Sequence, residues 1–236
     1  MSLLYNQGRS QHGLPIRLVC ATRHDLNDFG NTMLGQSFHA SDFEMLLAIT
    51  NTRSITEVFN EAIEFSKDNP AILVFVHDDV LITDFFWDKT VRLGLDKFDI
   101  VGLAGTTRRN PKQCGWALLT KDPDTYEESQ YLSGVVSHGT TFPPQNIGNF
   151  GEVGKTCVLM DGLFLATYSR TLIDNNLRFD ERFKFHFYDL DFCRQAEEKQ
   201  LTMGTIPVTV VHGSVNKPYG QDWYEMYDDY LNKWKE

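Results

Sequence analysis

The sequence lacks several features that would assign it to a specialised class of protein. It contains no run of about 18 apolar residues, so we expect no transmembrane segment. Its first residues, MSLLYNQGRSQHG, lack the basic-then-apolar order of a signal peptide. Its four cysteines lie far apart with no Cys-x-x-Cys pair, which argues against structural zinc and a disulfide framework. We therefore expect a cytoplasmic protein with buried free thiols.

Basic residues are also in short supply. The chain has 22 Lys and Arg against 32 Asp and Glu, which gives a net charge of −10. A broad surface for a phosphate backbone is incompatible with this balance, so we expect no nucleic-acid partner. An anionic nucleotide could still bind, provided that a cation or a few local bases neutralise it.

What the sequence does contain is the alternating pattern of an α/β domain. Among its 236 residues, 42% are hydrophobic and 23% are charged, which is ordinary for a soluble globular protein. Continuous apolar runs predict buried strands, and apolar residues at helical spacing predict helices between them. The strands are predicted at 16–21, 71–76 and 99–104, and the helices at 54–67 and 84–95. Such alternation indicates a parallel sheet with helices on both faces.

The remainder of the chain divides into an irregular part and a regular one. Residues 1–14 are polar and expected to be loose, and 15–236 fit a single mixed α/β domain. Residues 105–155 are rich in Gly, Pro, Thr and Asn, with a possible strand at 115–119, and are too long for a simple connection. Regular patterns then predict strands at 156–160, 163–168 and 205–211, and helices at 190–199 and after 221.

The first candidate site follows the apolar strand AILVFV. That strand leads directly into His77-Asp78-Asp79, and ligands of open α/β sheets bind beyond the carboxyl ends of the strands. Adjacent carboxylates repel each other unless a cation or hydrogen bonds compensate, and hard divalent cations prefer carboxylate oxygens. An equally weighted alternative is a strand-end turn in which Asp78 or Asp79 caps the next helix.

Two further groups of polar residues are candidates. Asp189 and Asp191 lie at the start of a predicted helix, where the helix dipole alone could account for both carboxylates. His212 ends the strand TIPVTVV, although a lone histidine is more often structural than a ligand. It becomes a candidate ligand only if the fold brings it to the acids at the other strand ends.

Taken in order along the chain, these motifs resemble nucleotide-sugar glycosyltransferases of the GT-A fold, and most of all the family-2-like branch. The resemblance extends over residues 15–215, and its most specific part is the block FDERFKFHFYDLDFCRQAEEKQL at 179–201. It also includes Asp161-Gly162-Leu163-Phe164 and Asn60. The resemblance implies a Rossmann-like, mainly parallel sheet flanked by helices, with 15–104 binding the nucleotide and 105–236 binding the acceptor.

The resemblance also implies a divalent metal ion and a nucleotide pocket. By position, Asp79 and His212 resemble the metal ligands, for Mn²⁺ or Mg²⁺, and this chain has His77 where the family often has an Asp. His77 and Asp78 would lie near the ribose. The positions that pack on the base are Ala21, Thr22 and Arg23, and Asn51 stands where the family usually has an acidic residue.

For the chemical step, Asp189 resembles the base that deprotonates the acceptor hydroxyl, and Asp191 a supporting residue that anchors the helix start through backbone amides or Arg194. Asp161 and Gly162 would lie on the donor-sugar side. His212 followed by Lys217-Pro218-Tyr219 is similar to the His…Lys-Pro-Trp signature of retaining family-8-type enzymes, one residue shorter, and there Lys217 would contact the diphosphate. Inversion and retention therefore both stay open.

The function implied is transfer of a sugar, as in a hexosyltransferase, from a UDP-sugar to a hydroxyl acceptor that is a glycan or a small molecule. A catalytically silent nucleotide-sugar binding protein would keep the same residues. A metal-dependent nucleotidyltransferase is a weaker alternative because no glycine-rich phosphate loop with Lys follows the first strand. A metal-dependent phosphohydrolase would need more histidine ligands than the pattern supplies.

Overall fold

The structure is a computed structural model that describes residues 3–6, 13–37, 43–121, 125–213 and 220–236. Lys217, predicted to contact a diphosphate, lies outside the described residues. Part of the N-terminal segment expected to be loose is described, and Leu4–Asn6 forms a short strand at the edge of a sheet.

The described residues form fourteen strands and seven α-helices, with a turn of 3-10 helix at Ser129–Tyr131. The strands are β1 (Leu4–Asn6), β2 (Ile16–Ala21), β3 (Glu44–Ala48), β4 (Ile72–Val76), β5 (Val80–Ile82), β6 (Ile100–Gly102), β7 (Ala104–Thr106), β8 (Leu132–His138), β9 (Asn146–Gly151), β10 (Thr156–Cys157), β11 (Leu159–Met160), β12 (Phe164–Tyr168), β13 (Met203–Thr205) and β14 (Val210–His212). The helices are α1 (Leu26–Phe29), α2 (Met33–Gln36), α3 (Ile55–Phe65), α4 (Trp87–Leu95), α5 (Ser169–Asp174), α6 (Tyr188–Glu198) and α7 (Gln221–Trp234).

The main sheet has the strand order β1-β3-β2-β4-β12-β6-β13-β10. β2 lies parallel to both β3 and β4, and β13 lies parallel to β6. Every residue of β4 is fully buried, which explains its continuous apolar sequence. The antiparallel strand β12 separates the two parallel groups. A strand buried on both faces has the same apolar pattern in either direction, so the sequence did not reveal this reversal.

The region predicted to be irregular contributes to a second sheet, with the order β11-β7-β8-β14-β5 and β9 paired to β8. The chain passes from the main sheet into this one at Leu103, so the predicted strand at 99–104 is two strands. At Gly134, φ is +112° and a side chain would overlap the Leu103 carbonyl oxygen. Glycine is therefore needed at this position, where β8 pairs with β7. In the described part of 115–119 no strand forms, and Leu118 makes a single bridge to Tyr126.

Helices pack on both faces of the main sheet, as the sequence predicts. α3 begins with the predicted capping box: Glu57 N donates to Ser54 Oγ at 3.2 Å, and Ser54 N donates to Glu57 Oε2 at 2.8 Å. Its apolar face joins α6 and α7 in one hydrophobic core, and α4 belongs to the other core. Within the described ranges, every helix is too short or too polar to cross a bilayer. The mixed α/β fold class is confirmed.

Candidate functional site

Three side chains that could hold a metal ion meet where β5 leaves the end of β4. β5 pairs antiparallel with β14 and places Val80 opposite His212, so the end of β14 lies beside residues 77–79. His212 Nε2 is 3.5 Å from Asp79 Oδ1, and His77 Nδ1 is 4.0 Å from the same oxygen. The three possible ligand atoms all lie within 4.8 Å of one another. The fold thus brings Asp79 and His212 together and adds His77; we call these three residues the triad.

The sequence predicts His77 near a ribose, but its imidazole belongs to the triad. Asp78 and Asp79 form the turn between β4 and β5, closed by a hydrogen bond from Val80 N to the His77 carbonyl oxygen, and this turn brings His77 and Asp79 together. Tyr188 donates its hydroxyl hydrogen to the Gly162 carbonyl oxygen at 2.9 Å. His77 Nε2 lies 2.7 Å from that hydroxyl oxygen and must therefore donate to it. The Nδ1 lone pair is then free to face Asp79, as in a metal-binding histidine.

The Asp79 carboxylate supports the fit of a cation to the triad. Its Oδ1 is buried and accepts no hydrogen bond of good geometry within the described ranges; the nearest nitrogen is His212 Nε2 at 3.5 Å. Burial raises the pKa of Asp79, but interactions with His212 and His77 outweigh it and hold the pKa below its ordinary value. A buried, ionised oxygen whose nearest polar neighbour is a histidine nitrogen at 3.5 Å would be satisfied more fully by a cation. One carboxylate with two imidazoles is a donor set for first-row divalent metals, manganese included, and suits them better than it suits magnesium.

The residues predicted to bind the nucleotide lie at the shared edge formed by the carboxyl ends of β2, β3 and β4. Thr22 Oγ1 donates to Asp78 Oδ2 at 2.6 Å, and Asn51 N donates to the Thr22 carbonyl oxygen at 2.8 Å. Ala21 is the last residue of β2, and Arg23 is exposed beyond it. The loops after the three strands therefore form one cluster, although the Asn51 amide is hydrogen-bonded within its own loop.

A cavity of about 200 Å³ adjoins the triad, and the triad residue His77 forms part of its wall. Asp161 and Gly162 form part of the cavity wall. Asp161 is held by two hydrogen bonds, from Trp116 Nε1 at 2.8 Å and from Leu163 N at 3.0 Å. At Gly162 a side chain would overlap the Tyr188 hydroxyl, so glycine is required for this close approach.

Asp189 lies in the same cavity, at the start of α6. Its Oδ2 accepts a hydrogen bond from Gly162 N at 3.1 Å, and its Oδ1 accepts one from Leu190 N at 2.9 Å. Burial, together with the nearby charge of Asp161, raises the pKa of Asp189 to about 7. A carboxyl group with this pKa exchanges protons near neutral pH, which is a property required of a general acid or base.

Asp191 points away from the cavity and is fully buried. Instead of the predicted Arg194, its partners are Lys233 Nζ at 2.6 Å, Trp234 Nε1 at 3.0 Å and Gln195 Nε2 at 2.7 Å. Arg194 pairs with Glu236. Asp191 therefore fastens α7 to α6, a contact that local sequence does not reveal because its partners come from two helices.

Replacing the cation in this contact tests its contribution to stability. We expect Lys233→Met to lower the free energy of unfolding by about 3 kcal/mol, because removing one partner leaves a buried carboxylate without its counter-ion. Urea unfolding measures the loss, and Lys97→Met, at an exposed lysine, is the matched control. A loss below about 1 kcal/mol, the value of an exposed pair, would mean that the neutral donors are sufficient for Asp191.

Sequence reasoning missed further residues at the site. Tyr188 links His77 to Gly162, and Trp116, from the region predicted to be irregular, holds Asp161. His138 lies opposite His212 on neighbouring parallel strands, with ring centroids 6.0 Å apart. Each of these contacts depends on pairing between distant segments, which the local sequence does not reveal.

Comparison with known proteins gives one family match. The model of a family described as "Glycosyltransferase like family" matches residues 40–229. Among solved structures, the chain is similar to "Crystal Structure of A197 from STIV", with 12% sequence identity and a TM-score of 0.41, covering 89% of this chain and 87% of that one. A search of curated proteins gives no match.

Proposed function

Because the chain belongs to the family-2-like glycosyltransferases of the GT-A fold, we propose that it moves a hexose from a UDP-sugar to a hydroxyl acceptor with the help of a divalent cation. One observation carries this proposal: His77 is shared between a metal-type triad and a cavity that contains the high-pKa carboxyl group of Asp189. A site for a diphosphate and a site for a base therefore adjoin each other.

On the donor side, His77, Asp79 and His212 would hold Mn²⁺ or Mg²⁺. A cation bound there supplies Lewis-acid stabilisation of the negative charge on the departing diphosphate. The loops of residues 15–104 would hold the nucleotide through Ala21, Thr22, Arg23, Asn51 and Asp78. Asp161 and Gly162, in the cavity wall, would lie on its donor-sugar side. Lys217 is proposed at the diphosphate on sequence resemblance alone.

On the acceptor side, residues 105–236 would surround the hydroxyl group. The Asp189 carboxylate accepts the hydroxyl proton, the hydroxyl oxygen bonds to the anomeric carbon, and the bond from that carbon to the diphosphate breaks. In a retaining reaction Asp189 would instead stabilise the positive charge at the anomeric carbon. The aromatic side chains around the cavity exclude water, which is the competing acceptor.

A cytoplasmic location belongs to the same proposal. All four cysteines, Cys20, Cys114, Cys157 and Cys193, are free and buried. Unpaired thiols are typical of a reducing compartment.

The net charge of −10 also supports a protein without a nucleic-acid partner.

UDP together with manganese is expected to raise the melting temperature. Binding to the folded state alone stabilises by about 2.7 kcal/mol at a hundredfold excess over the dissociation constant. Differential scanning fluorimetry of the full chain, with UDP, GDP and TDP in the presence and absence of Mn²⁺, measures this. The shift should shrink without the metal, and a clearly larger shift with GDP or TDP would overturn the donor assignment.

Product assays on the same protein separate an enzyme from the two alternatives. An enzyme transfers the hexose of a UDP-hexose to water or to an added acceptor, and it releases UDP in this metal-dependent reaction. A silent binding protein shows the thermal shift without UDP release. A nucleotidyltransferase would instead release pyrophosphate from a nucleoside triphosphate and a sugar phosphate.

A further inference from the structure

The cavity beside the triad combines aromatic walls with an unusual charge distribution. Phe185 is 55% exposed at the cavity, and its ring stacks on His77 with centroids 5.9 Å apart. Trp116 also lines the cavity; its indole nitrogen is hydrogen-bonded to Asp161, and its ring packs edge-on against Phe150 at 4.8 Å. The wall contains two carboxylic acids, Asp161 and Asp189, and two histidines, and none of the described lining residues is a lysine or arginine.

These walls suit a ligand with an apolar face and a hydroxylated edge. A sugar ring has both: its C–H face can pack against an aromatic ring, and its hydroxyl groups can donate to carboxylates. Resting on the function proposed above, we infer that the cavity receives the acceptor as an uncharged sugar ring, packed against Phe185 and Trp116, with one ring hydroxyl at Asp189. The acceptor class is therefore a neutral glycoside.

The charge of the wall argues against acidic acceptors. A carboxylate or phosphate on the acceptor would lie beside Asp161 and Asp189, with no described lysine or arginine in the wall to pair with it. Burying an unpaired anion next to like charges is strongly unfavourable. The volume, about 200 Å³, accommodates a single sugar ring.

Phe185 offers a clean test because it is exposed and its loss leaves the core intact. The full-length protein is assayed for UDP release from a panel of UDP-hexoses with Mn²⁺, while methyl glycosides of neutral hexoses or the matching methyl uronides are added. Neutral glycosides should raise UDP release at least tenfold more than their uronides. Phe185→Ala should raise the KM for the best glycoside about five- to tenfold, as expected for a lost stacking contact, and change kcat less than twofold.

The control variant is Phe85→Ala, which removes an exposed phenylalanine (94%) that does not line the cavity. It should leave the KM unchanged. The inference is overturned if uronides match the glycosides, if Phe185→Ala leaves the KM unchanged, or if UDP and Mn²⁺ stabilise the protein while no glycoside raises UDP release. An absence of any UDP–Mn²⁺ stabilisation would instead count against the proposed function itself.

Discussion

Asp189→Asn is expected to lower turnover by roughly 10²–10⁴, the usual contribution of a general base, while UDP and Mn²⁺ still stabilise the protein. The substitution removes the proton-accepting charge but leaves an amide oxygen that can accept one of the two backbone hydrogen bonds now made by the carboxylate. The triad is untouched, so nucleotide binding should survive. Steady-state UDP release and thermal shifts on the same samples measure the two effects separately.

The wild-type pH profile provides a second readout of the same residue. A base acts in its deprotonated form, so activity should rise with pH through the pKa of Asp189, about 7, instead of near the ordinary value of a carboxylic acid. In Asp189→Asn this rise of activity with pH should disappear. Asp191→Asn, two residues further on, is the matched control: it should cost stability and leave the midpoint in place. If turnover of Asp189→Asn is within tenfold of the wild-type value, Asp189 is not the general base.

Asp79→Asn and His212→Ala should each abolish most of the manganese-dependent part of the stabilisation by UDP, about 2.7 kcal/mol at a hundredfold excess of ligand. The fold without ligand should persist, because the nearest nitrogen to Asp79 Oδ1, His212 Nε2, is 3.5 Å away, and the amide oxygen of an asparagine can keep that contact. Asp96→Asn, at an exposed carboxylate after α4, is the control. Should either variant respond to UDP and manganese like the wild type, that residue is not a ligand.

His77→Ala distinguishes the two roles considered for this residue. A metal ligand should be needed only for the manganese-dependent shift, so UDP alone should bind the variant as it binds the wild type. A ribose contact should weaken UDP binding equally with and without the metal. Isothermal titration of UDP under both conditions separates these outcomes.

The sequence was informative where a site residue ends a strand. Asp79 and His212 follow apolar runs, and the pairing of β5 with β14 then brings them within 3.5 Å. The resemblance to a known family supplied the order of these motifs. The general fold also followed from pattern, because buried strands and the capped helix α3 have strong local signals.

The sequence did not reveal contacts that depend on a distant partner. His77 becomes a candidate ligand because Tyr188, on α6, accepts a hydrogen bond from its other nitrogen. Asp191 finds Lys233 on α7, and nothing near Asp191 in the sequence predicts that contact. Trp116 belongs to a stretch without regular periodicity, so its hydrogen bond to Asp161 could not be anticipated.

The two imidazoles of the triad affect which divalent metal ion binds there when several are present. Two imidazoles and one carboxylate favour later first-row metals, and in the general affinity order manganese stands below cobalt, nickel, copper and zinc. Magnesium, which prefers oxygen ligands, competes still less well. If the triad binds metal, protein purified on immobilised nickel would therefore carry nickel there, and added manganese would displace that nickel poorly. Chelation before reconstitution is needed if the ion present is to be the ion intended.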